Sequence, residues 1–292
     1  MPHPIPTLND VVISALDLHA SYSIPSLQLA PAKRRLVVAS GNALPTGRIV
    51  FAGQNAVFAD EGQYKALLAR DKDFDGGVVI SASGTKHGPV MVADLKAAGL
   101  DPYLLTCSPE SEAAKLLDPS RVIATKSQPE PITYNTSTYM GMILTRTGEN
   151  AAAIKKHLLK SVAPKIPDLR KYRAFYLIVP EEFDLELPMF ITKFDELFGG
   201  RVVGRCYTLG QTLHAKTVVP WEKELFISFG AKNKLFGSER LDVPLPKDAG
   251  FAAMLATGYF VIGHIQAQLP GWFRQNAATY AEIQKKLFAK LH

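Results

Sequence analysis

The chain has 292 residues, 47% of them hydrophobic and 21% charged, a balance ordinary for a folded globular protein. No apolar run reaches the ~18–20 residues that a membrane span requires, and Met1-Pro2-His3-Pro4-Ile5-Pro6 lacks the basic-then-apolar order of a secretory signal. The formal net charge of +6 favours anionic partners, yet the lysines and arginines are scattered, with no basic cluster interleaved with aromatics, so nucleic acid is not expected.

In chain order, Leu8, Val11, Val12, Ala15 and Leu16 recur near the helical period, which predicts a leading helix over 8–22 that packs on a later element. His19 falls near that stripe and reads as a core or edge histidine. Pro25 and Pro31 then mark a linker. Leu36-Val37-Val38-Ala39-Ser40 predicts a first strand, Ser40-Gly41-Asn42-Ala43 a loop, and 44–52 a short helix with Pro45 in its first turn. A second strand is expected over 55–59 and a helix over 62–69.

The apolar run Val78-Val79-Ile80 predicts a buried parallel strand. It breaks into Ser81-Ala82-Ser83-Gly84-Thr85-Lys86-His87, and a helix follows Pro89, stopped by Gly99. A strand, a loop of hydroxyl residues around a glycine and a helix N-terminus make an anion seat, because amides and the positive end of the helix dipole meet there. The same residues can instead do no more than cap the helix. Phosphate binding is the preferred reading, with Lys86 adding charge; His87 reads rather as an exposed helix-start residue.

Alternation continues with a strand at 103–107, a helix at 109–117 and a strand at 121–125, giving a parallel, doubly wound sheet with its loops at the strands' carboxyl ends. Gln128-Pro129-Glu130-Pro131-Ile132 is a proline-held loop. A helix follows from about Asn135 towards His157, kinked or split at Gly148, and 161–170, with Pro164 and Pro167, reads as an interdomain linker. The second half repeats the pattern more weakly: strands at 175–179, 201–207 and 225–229, helices at 185–198, 251–269 and 272–291. The aromatic residues of 251–273, Trp272 included, read as core or dimer interface rather than a ligand cage. Cys107 and Cys206 lie in strand-like runs as buried thiols, consistent with a reducing cytoplasm, and no His, Cys or carboxylate cluster has metal-ligand spacing.

These residues resemble the sugar isomerase (SIS) domain proteins, which include phosphosugar aldose–ketose isomerases and the isomerase half of glucosamine-6-phosphate synthase. The family's first loop, G-x-G-x-S, corresponds to Ser40-Gly41-Asn42-Ala43. Its phosphate loop, S-x-S-G-x-T, is similar to Ser81-Ala82-Ser83-Gly84-Thr85-Lys86, with the threonine one place early. A G-x-E with a threonine six residues on is similar to Pro129-Glu130 and Thr136, and E-x-x-H-G-P is similar to Gln211-Thr212-Leu213-His214-Ala215-Lys216.

The resemblance implies two tandem SIS-type doubly wound parallel-sheet domains of α/β class, each five-stranded with helices on both faces. They would span 31–165 and 166–292, after an N-terminal helix and linker over 1–30. It implies phosphate binding by Ser81, Ser83, Gly84, Thr85 and Lys86, and further sugar contacts at Gly41, Asn42 and Thr136. Glu130 would be the base, and His214, contributed by a neighbouring subunit of a homodimer, would assist ring opening. Lys285, Lys286 or Lys290 of the C-terminal helix would reach the site.

Isomerisation moves a proton between C1 and C2 through an enediolate, and a carboxylate raised towards neutrality by burial suits that work. No cofactor or metal is required. Three functions compete: an isomerase, a phosphosugar-binding protein without a working base, and a dinucleotide oxidoreductase. The last lacks G-x-G-x-x-G and has only Asp60 to bind a ribose. A serine hydrolase lacks its G-x-S-x-G elbow around Ser83.

Overall fold

The computed structural model of the chain describes residues 5–214 and 219–290, with side chains to 287. It opens with α1 (Leu8–Ala20). A first α/β unit comes next: β1 (Arg35–Ala39), α2 (Ala43–Val50), β2 (Ala56–Ala59), α3 (Tyr64–Arg70), β3 (Gly76–Ile80), α4 (His87–Ala97), β4 (Tyr103–Thr106), α5 (Glu112–Lys115) and β5 (Val122–Ala124). Two helices, α6 (Thr136–Thr147) and α7 (Ala151–His157), lead into the second unit. That unit has β6 (Ala174–Val179), α8 (Leu187–Phe198), β7 (Val203–Thr208), α9 (Leu209–Leu213), β8 (Glu224–Phe229) and β9 (Glu239–Val243), and α10 (Phe251–Gln268) and α11 (Trp272–Lys290) close the chain.

Both sheets are parallel, in the orders β2-β1-β3-β4-β5 and β7-β6-β8-β9. The α/β class and the doubly wound architecture are therefore as expected. Each order reverses direction at its first strand, which is where such sheets leave a crevice at the strands' carboxyl ends.

β1 and β3 are buried along their whole length, which is why they read as unbroken Val, Ile and Leu runs. Alternate residues supply two cores. Leu36, Val38, Val79 and Leu104 meet α3, α4 and α5 on one face. Val37, Ala39, Val78, Ile80 and Leu105 join a larger core on the other, which runs on through α1, α6, α8 and α10 to Phe175, Leu177 and Ile227 of the second sheet. Each such Val, Leu, Ile or Phe side chain contributes about 1.5–3 kcal/mol when fully buried.

The leading helix does pack on later elements, α6, α7 and α10. His19 is buried, its Nε2 donating to the Ser137 carbonyl at 2.9 Å, and burial lowers its pKa.

Several expectations need correction. The second sheet has four strands among the described residues, not five. β9 lies in a stretch with no predicted element. The helix expected over 135–157 with a kink or split at Gly148 is split there as anticipated, because Gly148 adopts φ 62° and ends α6. Residues 158–165 continue as short helical turns, and the stretch 161–170 that joins the two units buries Val162 and Leu169. The helix expected after Pro89 starts at His87, two residues before that proline, which falls inside its first turn.

Candidate functional site

A cleft of about 640 Å³ lies at the carboxyl ends of β1 and β3 and is closed on its far side by α8 and α11. The order β2-β1-β3 places the loops after β1 and β3 side by side, so Ser40, Gly41 and Asn42 face Ser81, Ser83 and Thr85 across it.

The loop 81–87 is braced by its own hydroxyls. Ser83 Oγ and Thr85 Oγ1 are 2.7 Å apart, and the Gly84 amide donates to Ser81 Oγ at 3.2 Å. Gly84 itself is buried behind the loop, at φ 60°, and a Cβ there would fall 2.0 Å from Ser111 Oγ, so only glycine fits. Lys86 takes φ 52° as the residue before α4. Asn135, before α6, takes φ 46°. Both line the cleft, and strained backbone of this kind persists where the surroundings hold it at a working site. His87 is half-buried and lines the cleft too, which differs from the exposed position expected. Asn42 precedes α2, but its side chain makes no capping bond and is left to the cleft.

Glu130 sits elsewhere. Its Oε2 accepts from the Thr136 amide at 2.5 Å and its Oε1 from the Ser137 amide at 2.7 Å. Both oxygens thus cap α6, where the helix dipole favours a negative charge. Neither Glu130 nor Thr136 is among the residues lining the cleft, and the buried Thr136 hydroxyl has no hydrogen-bond partner. His214 is exposed at the end of α9, also away from the lining. Ala215 and Lys216, the altered end of its motif, lie outside the described residues.

Two carboxylates line the cleft: Glu61, exposed in the loop after β2, and Glu196, on α8. Glu196 is the more buried of the two. Burial pushes its pKa above the ordinary glutamate value, against the pull of the Lys193 ammonium one turn earlier. Lys193 is wholly buried. Its Nζ donates to Glu196 Oε2 at 2.8 Å and to the carbonyls of Thr133 and Tyr134 at 2.7 and 3.1 Å, which ties α8 to the loop before α6. Tyr139, from α6, and Thr192, from α8, complete this wall. The C-terminal helix does return to the site, but with Gln284 rather than a lysine; Lys285 and Lys286 are exposed and the side chain of Lys290 lies outside the described residues.

Sequence reasoning passed over Glu196, although a signal existed. The buried stripe of α8 runs Met189, Phe190, Lys193, Phe194, Leu197, and a lysine on an apolar stripe calls for a buried acid one turn away.

Among the described residues no group of three or more His, Cys, Asp or Glu is placed to hold a metal, and no helix is long and apolar enough to cross a membrane.

No family model and no curated protein matches the sequence. Solved structures do. Glucosamine-6-phosphate deaminase from Thermotoga maritima superposes with a TM-score of 0.59 at 14% identity, covering 89% of this chain and 91% of that one. Tagatose-6-phosphate ketose/aldose isomerase from Escherichia coli gives 0.57 at 11% identity, over 89% and 86%. The C-terminal domain of glucosamine-fructose-6-phosphate aminotransferase from Francisella tularensis gives 0.52 at 11% identity, over 89% and 93%. The chain has the phosphosugar isomerase fold, that of the SIS proteins its loops resemble.

Proposed function

We propose that the chain is a phosphosugar aldose–ketose isomerase with Glu196 as its base. One observation carries this reading: a single cleft joins the hydroxyl loop 81–87 to a carboxylate whose proton affinity burial has raised. The phosphoryl group would rest against Ser81, Ser83 and Thr85 at the N-terminus of α4, with Lys86 beside it. Gly84 shapes that seat from behind. Asn42, Asn135, Thr192 and Gln284 offer hydrogen bonds to sugar hydroxyls, and Gly41 lets the chain turn close to them.

The Glu196 carboxylate takes the proton from C2 of the open-chain aldose, leaving an enediolate. The resulting acid returns a proton to C1 while the C2 hydroxyl proton moves to O1, giving the ketose. Lys193 holds Glu196 by its Oε2 and leaves Oε1 for the substrate. Glu130, with both oxygens committed to α6, has the weaker geometry for this role. His87 is the histidine within the cleft and is suited to ring opening. His214 would serve only from a second subunit. Its exposed apolar neighbours in the sequence, Leu213, Val219 and Trp221, support a homodimer that covers this surface. The exposed His214 also supports the competing reading, a phosphosugar-binding protein without turnover.

Exchange of the substrate C2 proton with solvent separates the two. In D2O with a panel of hexose and amino-sugar 6-phosphates, the native chain is expected to incorporate deuterium at C2. Glu196→Gln is expected to slow this about 10²–10⁴-fold, while Glu130→Gln costs stability and leaves exchange. Binding without exchange by the native chain would establish the binder instead.

A further inference from the structure

A second cleft, of about 590 Å³, opens between the start of the second sheet and the turn that joins α10 to α11. It lies at the amino ends of β6 and β7: Arg173 precedes the first residue of β6, and Arg201 and Val202 precede the first of β7. Open α/β sheets place their ligands at the other edge, so this cleft is not a by-product of the topology. Twelve residues of α11 separate Trp272, on its wall, from Gln284 in the first cleft, about 18 Å at 1.5 Å per residue. The two are distinct.

Its lining holds three guanidinium groups, Arg170, Arg173 and Arg201, and no carboxylate. Arg170 pairs with Asp168 just outside the lining, through Nε and Nη2 at 2.9 and 2.8 Å. Arg173 donates from Nη1 to the carbonyls of Arg170 and Tyr172, both at 2.9 Å, which fixes the group without neutralising it. Arg201 has no ion-pair partner among the described residues. Three cations with one opposing charge, in a concavity, focus a field that favours a polyanion. The first turn of the 19-residue α11 faces the same space through Trp272 and Gln275 and adds the positive end of its dipole.

The remaining walls are flat and apolar. Trp272, expected in a core or dimer interface, is half-buried here. Its indole packs so close to Gly199 that a Cβ there would lie 3.2 Å away, and the rest of the ring lines the cleft with Phe198 and Pro270. A sugar phosphate suits this lining poorly. Its single hydroxyl, that of Tyr172, already donates to Glu239 at 2.7 Å. Guanidinium groups beside a half-buried indole match an anion that carries a planar ring, and the volume suits a ligand of that size. We propose that this cleft binds a nucleoside polyphosphate, its phosphates on Arg170, Arg173 and Arg201 and its base stacked on Trp272.

The chain has two tryptophans, and Trp221 is 48% exposed, so Trp221→Phe leaves Trp272 as the sole reporter at little structural cost. Titrating that variant with ATP, excited at 295 nm, is expected to give saturable quenching in the micromolar to low millimolar range. Adding Arg201→Glu, an exposed position, is expected to weaken binding roughly tenfold or more, with an unchanged melting temperature showing that the fold is intact. Tripolyphosphate should compete more weakly than ATP, and adenosine alone should not bind. Lack of quenching at 5 mM ATP would overturn the proposal. So would equal affinity in Arg201→Glu, tripolyphosphate as tight as ATP, or displacement of ATP by a sugar phosphate in proportion to its occupancy of the first cleft.

Discussion

The two sheets share a strand order and diverge after their third strand. In the first unit β3 runs into the hydroxyl loop and then α4, whose N-terminus opens on the cleft. In the second, β8 passes to β9 through nine residues, 230–238, with no helix between them. That stretch is folded on itself: Asp242 accepts from the Ser228 hydroxyl at 2.6 Å and the Asn233 amide at 3.0 Å. The helix end nearest an anion seat in this half, that of α9, is filled by the chain's own Glu181, which accepts from the Gly210 amide. The Thr208 hydroxyl and the Gly210 amide hold that carboxylate below its ordinary pKa. One topology has therefore been given a roomy strand end lined by hydroxyls in the first unit and a smaller cleft of about 240 Å³, bordered by Glu181 and Glu182, in the second. The crevice comes from the fold; the hydroxyl loop proposed as its anion seat comes from the residues in it.

The comparison breaks most sharply at Gly84. Gly84→Ala drives a Cβ into Ser111 at a positive φ and is expected to cost about 2–4 kcal/mol in denaturant unfolding, and to abolish thermal stabilisation by sugar phosphates. Glu186 probes the acidic half. It is fully buried, neither oxygen has a partner, and burial with the nearby Glu149 pushes its pKa well above 4.5. The native chain therefore keeps a proton there that the unfolded chain releases, so stability declines as pH rises from about 4.5 through the native value. Glu186→Gln is expected to remove that slope and to stabilise the protein by about 1–2 kcal/mol at pH 8, read from melts across pH. Ser83→Ala deletes one hydroxyl of the seat and should weaken sugar-phosphate binding roughly tenfold by calorimetry, without altering the fold. The smallest change is expected at Glu181→Gln in the second unit. Within error it should leave both sugar-phosphate affinity and the melting temperature as they are.

The first unit was legible because each level of the sequence agrees. Buried parallel strands announce themselves as short apolar runs, Leu36-Val37-Val38 and Val78-Val79-Ile80, and Gly84 and Gly148 mark backbone that only glycine takes easily. The second unit hid β9 because Glu239-Arg240-Leu241-Asp242-Val243 is an edge strand, where charge on the open side breaks the apolar run. At the site, the residues of 81–87 and 41–42 could be named because they sit together in one loop each. Glu196 could not be named that way. It reaches the cleft on a helix 110 residues after Lys86, and what brings it there is the burial of α8 against α10 and the contacts of Lys193 with residues 133–134. Glu130 looked the better base because its flanking prolines fix a loop, but that rigidity serves α6.

A crystal structure with a hexose 6-phosphate bound tests the central claim most directly. The account predicts the phosphoryl oxygens within hydrogen-bonding distance of Ser81, Ser83 and Thr85, with C2 of the sugar turned to Glu196 Oε1. A phosphoryl group seated in the second unit, or one in the first unit with the sugar chain directed away from α8, would contradict it.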